Sequence, residues 1–491
     1  MNFYSIVEQG AANWPAAVAI ADSERCLTYQ KLKDATERLA TDLKCAGIQK
    51  GNRIGVIFPR GIADIVACFA VMRAGGIVVQ ISAAWKASEI VQLSERMDID
   101  GFCYSPQFDA LIPQGGKKQF LELPLQDTRP VWLQCFATHG LAKERRQQLL
   151  NLNTASIGFS SGTTSESKGI IISHDALLAR TRTETRIFSL IGNDTILYLL
   201  AIAYAVAPPI GATLLKGGEV VFADTADMPL FPDLIGQHGV TVVYASPLVY
   251  RMMLNEGKTL LASLRSVKHF VTTGSVLAGS TAEEFSARVG REIIQRYGLN
   301  ECGAVMGNLS ADRDKRGSVG RPCEFDVALR NERGVCFGGP SHGELLLRGP
   351  GLFDGYYSPW RPRDEVLENG WFCTGDLGKR DEDGYFWIVG RVKDMINVGG
   401  VKVFPTEIEA VLNSHPEVEE ALVFGVPDPR FGEVPHAKVK RSAGSQIATK
   451  ELMRYVNERV SLFKALRSVE LVNELPKTVS GKIRRERSSA T

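Results

Sequence analysis

Between Phe159 and Gly169 the chain runs Ser160-Ser161-Gly162-Thr163-Thr164-Ser165-Glu166-Ser167-Lys168. Short hydroxylated side chains and uncovered backbone N–H groups can surround phosphate oxygens. Lys168 adds a mobile point charge. This is not the common mononucleotide loop, because Lys168 is preceded by Ser167 and followed by Gly169. Alone, the stretch reads equally well as a solvated loop. Four further islands follow it: Tyr297-Gly298-Leu299-Asn300-Glu301, Trp371-Phe372-Cys373-Thr374-Gly375-Asp376, Gly390-Arg391 with Lys393, and Leu475 through Lys482.

Holding such islands together requires a β/α frame, and the sequence reads as one. Arg53–Phe58 is strand-like, Ile62–Arg73 has helical periodicity and stops at Gly75-Gly76, and Ile77–Ile81 returns to strand. That succession argues for βαβ units and a mainly parallel sheet. Thr154–Phe159 and Ile170–His174 are apolar runs on either side of the hydroxyl-rich loop. Val240–Tyr244, the run ending at Gly274 and the run Glu292–Tyr297 before Gly298 are further strands. Turn residues after strands in such a sheet are where ligands sit. Residues 129–150 are mixed and basic, and no chemistry is read there. Past Gly343 short antiparallel strands are expected. From about residue 392 a separate strand–helix–strand pattern begins, including a helix at Pro405–Asn413 and a strand at Ala421–Val426. The expected architecture is α/β: a large N-terminal domain, 1–391, with parallel sheets and a β-rich part, and a small mobile α+β domain, 392–491.

Composition narrows the partners. The 491 residues are 44% apolar and 23% charged, ordinary for a globular chain, and the net charge of +2 gives no reason to invoke nucleic acid or an anionic membrane. Nine scattered cysteines, never spaced as C-x-x-C, suit reduced thiols in the cytoplasm better than a disulfide frame or a zinc site. The start, Met1-Asn-Phe-Tyr-Ser-Ile-Val-Glu8, lacks a basic region followed by an apolar run, so no signal peptide is expected. The least polar stretch, Thr195–Leu215, contains Pro208-Pro209 and suits a buried segment better than a membrane span.

In this order and spacing, the loop and its four islands resemble the adenylate-forming enzymes: acyl- and aryl-CoA ligases, adenylation domains and beetle luciferases. The resemblance spans nearly the whole chain, starting at the Ala-Gly-Gly turn near 75. It implies that a carboxylate attacks the α-phosphorus of ATP and expels pyrophosphate, after which a thiol takes the acyl group. Catalysis of such a transfer is mainly positioning and electrostatic stabilisation. The implied roles are specific. Ser160, Ser161, Gly162, Thr163, Thr164 and Lys168 would hold the phosphates, and Glu301 would hold Mg²⁺. Tyr297 would stack on adenine, Gly274 and Gly298 would line the nucleotide and acyl sites, and Asp376 with Arg391 would bind the ribose. Asn300 stands where the family often has threonine, and could donate to the α-phosphate through a longer arm. Lys482 would bond the carboxylate and α-phosphate. Lys393 matches a hinge about which the C-terminal domain turns, and Gly399-Gly400 would then line a pantetheine tunnel.

The loop departs from the family at Ser165 and Ser167, where glycine and proline are common. A serine forced to positive φ costs roughly 1 kcal/mol, so a looser phosphate grip is expected. CoA is the favoured acceptor, because Val423–Glu433 looks like the matching segment of acyl- and aryl-CoA ligases. The alternatives are an acyl carrier protein's phosphopantetheine and a non-catalytic nucleotide-binding relative. Tyr204 falls where amino-acid-activating members carry an aspartate, and no charge occurs from Thr195 to Leu215. An unpaired ammonium there would cost several kcal/mol. The expected substrate is therefore an apolar, aromatic or medium-chain acid rather than an α-amino acid.

Overall fold

The computed structural model describes residues 1–491 except 126–128, 137–140, 160–167, 201–207, 276, 311, 333, 443 and 478–491. The strands Arg53–Ile57 and Ile77–Gln80 are buried along their whole length. That suits parallel strands covered on both faces. They run parallel to each other and to Thr154–Phe159, which turns back antiparallel into Gly169–Ser173. These strands form the middle of a nine-stranded sheet whose edge is the short pair Gly355–Tyr356 and Arg361–Pro362. The connecting helix Ile62–Ala74 ends where Gly75 adopts φ +91°, a left-handed cap open to glycine.

A second nine-stranded sheet contains Thr195–Tyr198, Val242–Ala245, His269–Thr272 and Ile293–Leu299, parallel and adjacent. Their carboxyl ends therefore lie along one edge. The helix His174–Ile187 packs on strands of both nine-stranded sheets. Ser173 starts it, its Oγ accepting the Ala176 N–H at 3.2 Å. The helix is thus the middle layer, buried among residues of a core shared by the two sheets.

A five-stranded antiparallel sheet includes Ser341–Arg348, Phe372–Arg380 and Phe386–Arg391. After it, the strands Ile396–Val398, Val401–Val403, Val418–Asp428, Gly432–Arg441 and Ser468–Val472 form their own sheet. The helix Pro405–Asn413 packs on that sheet, with a separate core running from Ile396 to Val469. The α/β class, with a large N-terminal and a smaller C-terminal part, is as the pattern implies.

One region was not read from sequence. Residues 129–150 contain the strand Arg129–Cys135 and most of the helix Leu141–Asn151. The strand pairs antiparallel with Lys117–Leu123, which is mostly exposed. Such a strand lacks the continuous apolar run that marks its buried neighbours. Thr195–Leu215 resolves into the strand Thr195–Tyr198 and the helix Pro208–Leu215, with 201–207 outside the described residues. Among the described residues no helix is long and apolar enough to cross a membrane.

Candidate active site

The strand Ile293–Leu299 carries Tyr297 and Gly298 to the edge of the second sheet. It then folds back antiparallel through the turn holding Asn300 and Glu301. The turn is tight. A side chain on Gly298 would meet the Gly303 carbonyl oxygen at 2.1 Å, and Gly303 itself has φ +72°. Tyr297 is buried, and its hydroxyl donates to Asp376 Oδ2 at 2.8 Å. Asp376 Oδ1 meets Arg391 Nε at 2.8 Å. Burial, reinforced by the Asp376 carboxylate, holds the Tyr297 phenol well above its ordinary pKa. Both oxygens of Asp376 are thus engaged, rather than free as a pair for ribose hydroxyls. A ribose there would share the carboxylate's remaining lone pairs with Tyr297 and Arg391.

Asn300 and Glu301 close the site from the other side. Asn300 Nδ2 donates to the Phe159 carbonyl at 2.7 Å, at the point where the hydroxyl-rich loop leaves its strand. Glu301 Oε1 accepts from Tyr356 Oη at 3.1 Å, and its carbonyl accepts the Phe353 N–H at 2.7 Å. Tyr356 lies on the strand paired with Gly169–Ser173, so Lys168 Nζ sits over its ring at 4.6 Å from the centroid. Burial and the Glu301 carboxylate push the Tyr356 hydroxyl far above its ordinary pKa. One aromatic ring therefore joins the loop lysine to the candidate metal ligand.

A divalent cation fits this donor set in one way. Glu301 keeps one carboxylate oxygen unengaged by Tyr356. Among the described residues no group of three or more His, Cys, Asp or Glu side chains could hold a metal. A single carboxylate donor such as Glu301 suits an ion like Mg²⁺ that shares its ligands with substrate phosphates.

Gly274, with φ +93°, follows the strand His269–Thr272 at the same carboxyl edge. Gly399 and Gly400 form the left-handed turn between Ile396–Val398 and Val401–Val403. The Gly399 N–H donates to the Phe431 carbonyl at 2.7 Å and the Gly400 N–H to Asn397 Oδ1 at 3.0 Å. Lys393 lies in the short turn Val392–Asp394 linking the antiparallel sheet to the C-terminal part. Ser160, Ser161, Gly162, Thr163, Thr164, Tyr204 and Lys482, expected at the site from sequence, lie outside the described residues.

Sequence reading missed Tyr356 and Arg180. Tyr356 had a signal in the run Gly355-Tyr356-Tyr357, a pair of aromatics after a glycine. Arg180 had almost none, because an arginine four residues before a glutamate on a helix normally marks a solvated pair. In the structure Arg180 is buried, with Nε donating to the Gly351 carbonyl at 2.7 Å and Nη1 to the Asn300 carbonyl at 3.1 Å.

With this geometry in place, comparison with known proteins is direct. Residues 7–357 match the model of the AMP-binding enzyme family, and residues 407–482 match the AMP-binding enzyme C-terminal domain. A long-chain-fatty-acid–CoA ligase of Bacillus subtilis is 28% identical, over 98% of this chain and 93% of its own. A feruloyl-CoA synthase of Amycolatopsis is 30% identical, over 97% of both. The crystal structure of ATP-bound MatB from Rhodopseudomonas palustris superposes with a TM-score of 0.84 at 25% identity, covering 99% of this chain and 97% of that one. The chain belongs to the AMP-binding enzyme family.

Proposed function

We propose that this chain activates an apolar carboxylic acid with ATP and transfers the acyl group to CoA. The observation that carries the reading is the convergence of the Tyr297–Asp376–Arg391 cluster and the Asn300–Glu301–Tyr356–Lys168 cluster on one short turn. One cluster has the hydrogen-bonding groups for a nucleoside. The other has a cation and a carboxylate for a metal-bound polyphosphate. Two relatives named for long-chain fatty acid and for feruloyl–CoA formation support an acyl-CoA product.

In the first step an acid oxygen bonds to the α-phosphorus of ATP and the bond to pyrophosphate breaks. Lys168, held over Tyr356, offsets charge on the departing phosphates, and Asn300 can turn its amide from the Phe159 carbonyl toward the α-phosphate. Asp376, oriented by Tyr297 and Arg391, holds the ribose. Glu301 would hold the divalent cation, which when bound neutralises charge on the phosphates. Lys482 would bond the acid and the α-phosphate. In the second step the CoA sulfur attacks the acyl carbonyl carbon and AMP departs. The C-terminal domain, taken as 392–491, would turn about Lys393 to bring Gly399-Gly400 to the pantetheine. A carrier-protein pantetheine would present the same thiol.

The buried strand Thr195–Tyr198, whose Tyr198 ring stacks on Tyr244 with centroids 6.0 Å apart, leads into the uncharged segment containing Tyr204 and supports an apolar acid. The nine free cysteines suit a reducing compartment such as the cytoplasm. The test is pyrophosphate exchange over a panel of aryl, medium-chain, long-chain, short dicarboxylic and amino acids. Mass spectrometry would then detect the thioester with CoA or a holo carrier protein. Exchange confined to amino acids, or thioester formed only on the carrier protein, would overturn the reading.

A further inference from the structure

A buried guanidinium and a buried carboxylate lie on the helix His174–Ile187, next to the strand and turn that hold Tyr297 and Glu301. Arg180 and Glu184 are one helical turn apart on His174–Ile187, and both point into the core shared by the two large sheets. Glu184 is engaged on both oxygens. Tyr244 Oη donates to Oε1 at 2.7 Å, and Arg296 donates to Oε2 through Nε at 3.1 Å and Nη2 at 2.9 Å. Arg296 immediately precedes Tyr297, so this ion pair anchors the strand entering the site.

Arg180 is different. Among the described residues its hydrogen bonds go to the carbonyls of Asn300 and Gly351, not to a carboxylate, and its Nη2 has no partner. Burial lowers its pKa to about 10, with Cys302, Asp354 and Glu301 acting in the opposite direction, so it stays charged at neutral pH. A buried cation without an ion-pair partner is expensive, and a methionine or leucine would fill the space at less cost. The backbone is shaped around it. A side chain on Gly303 would meet Arg180 Cδ at 2.9 Å, and one on Gly351 would meet Arg180 Cγ at 3.1 Å.

We propose that Arg180 is a positioning residue for the metal-binding carboxylate. Its fork ties the Asn300 carbonyl to the Gly351 carbonyl and thereby fixes where Glu301 points. The fork lies on the helix that directly continues the Gly169–Ser173 strand. It therefore links the Gly169–Ser173 strand, the Glu301 turn and the 351–356 segment that supplies Tyr356. A lysine cannot replace it, because one ammonium has no planar fork to span both carbonyls. The inference rests on the reading of Glu301 as a metal ligand.

The experiment compares Arg180→Lys, Arg180→Met and Glu301→Gln with the unaltered protein. Mn²⁺ binding is read by electron paramagnetic resonance in the presence of a non-hydrolysable ATP analogue. The two half-reactions and the melting curves are measured alongside. The expected result is a loss of Mn²⁺ affinity of about tenfold or more in all three variants, matched by a higher Mg²⁺ requirement for pyrophosphate exchange. Thioester formation from preformed acyl-adenylate and CoA should stay within about twofold in the Arg180 variants. Retained Mn²⁺ affinity in the Arg180 variants alone would overturn the positioning role while leaving Glu301 a ligand. Retained affinity in Glu301→Gln would overturn the metal-ligand reading and this inference with it. Equal loss of both half-reactions, or failure of both Arg180 variants to fold, would assign the residue to the core instead.

Discussion

Asp376 and Arg391 face each other across two antiparallel strands as backbone partners, and their side chains meet with Nε 2.8 Å from Oδ1. The aspartate side chain is 4% exposed and the arginine 46%. The pair thus fixes a buried acceptor with a half-exposed donor, two residues before the turn centred on Lys393. Because solvent screens the arginine, its removal should matter little for stability. Arg391→Ala should keep the melting temperature within a few degrees and raise the KM for ATP by about tenfold, which corresponds to about 1.4 kcal/mol of binding. Asp376→Ala should do more, since it also strands the buried Tyr297 hydroxyl. Equal ATP KM values in the two variants and the parent would refute the ribose assignment.

The contact between Tyr356 and Glu301 makes a separate prediction. Tyr356→Phe keeps the ring beneath Lys168 but removes the O–H that donates to the carboxylate. Hydrogen bonds to charged groups contribute about 1.5–3 kcal/mol, so pyrophosphate exchange should fall on the order of tenfold or more. Tyr356→Leu removes the ring as well and should fall further. Two variants of equal activity would mean that the cation–ring contact contributes nothing.

Lys482 and Lys393 should separate the half-reactions. Groups aimed at developing transition-state charge contribute on the order of 10²–10³ in rate. Lys482→Ala should therefore cripple formation of acyl-adenylate from acid and ATP, yet make thioester from preformed acyl-adenylate at close to the normal rate. Lys393→Pro should do the reverse, because proline fixes φ at the turn about which the domain would rotate. Single-turnover measurement of each half decides it, and equal damage to both halves by Lys482→Ala would exclude a two-conformation cycle.

Asp64 predicts a pH dependence away from the site. Burial raises its carboxyl to about 8, with its contact to Cys68 acting in the opposite direction. The folded state therefore holds a proton that the unfolded chain releases near pH 4. Between those values the unfolded state binds fewer protons, so this residue makes stability decline as pH rises and adds no penalty below about pH 4. Asp64→Asn should be nearly neutral at pH 4 and stabilising at pH 7. One pKa unit corresponds to about 1.4 kcal/mol, which puts a ceiling on the order of 4 kcal/mol at neutral pH. Urea unfolding at both pH values would test it, and a gain that is the same at pH 4 and pH 7 would refute the assignment.

Much of this protein was legible without coordinates. The strands around Arg53–Ile57 and Thr154–Phe159, the helix after Gly61 and the helix Pro405–Asn413 follow from apolar runs, periodicity and glycine or proline stops. Such signals act within a few residues, so the linear chain carries them. The five islands were legible for a related reason. Each is a short run of unusual composition that stands out within a few residues of sequence.

Only the tertiary structure decided which side chains meet. Tyr356 reaches Glu301 across 55 positions of sequence and Arg180 reaches Asn300 across 120. Nothing local distinguishes that arginine from a solvated one. It also showed that both Asp376 oxygens are already engaged and that Asn300 bonds the end of the Thr154–Phe159 strand. Residue types and spacing set what chemistry the sequence can supply. The partners of each group depend on which strands lie side by side, and that is fixed by burial of apolar faces across the whole chain rather than by any segment alone.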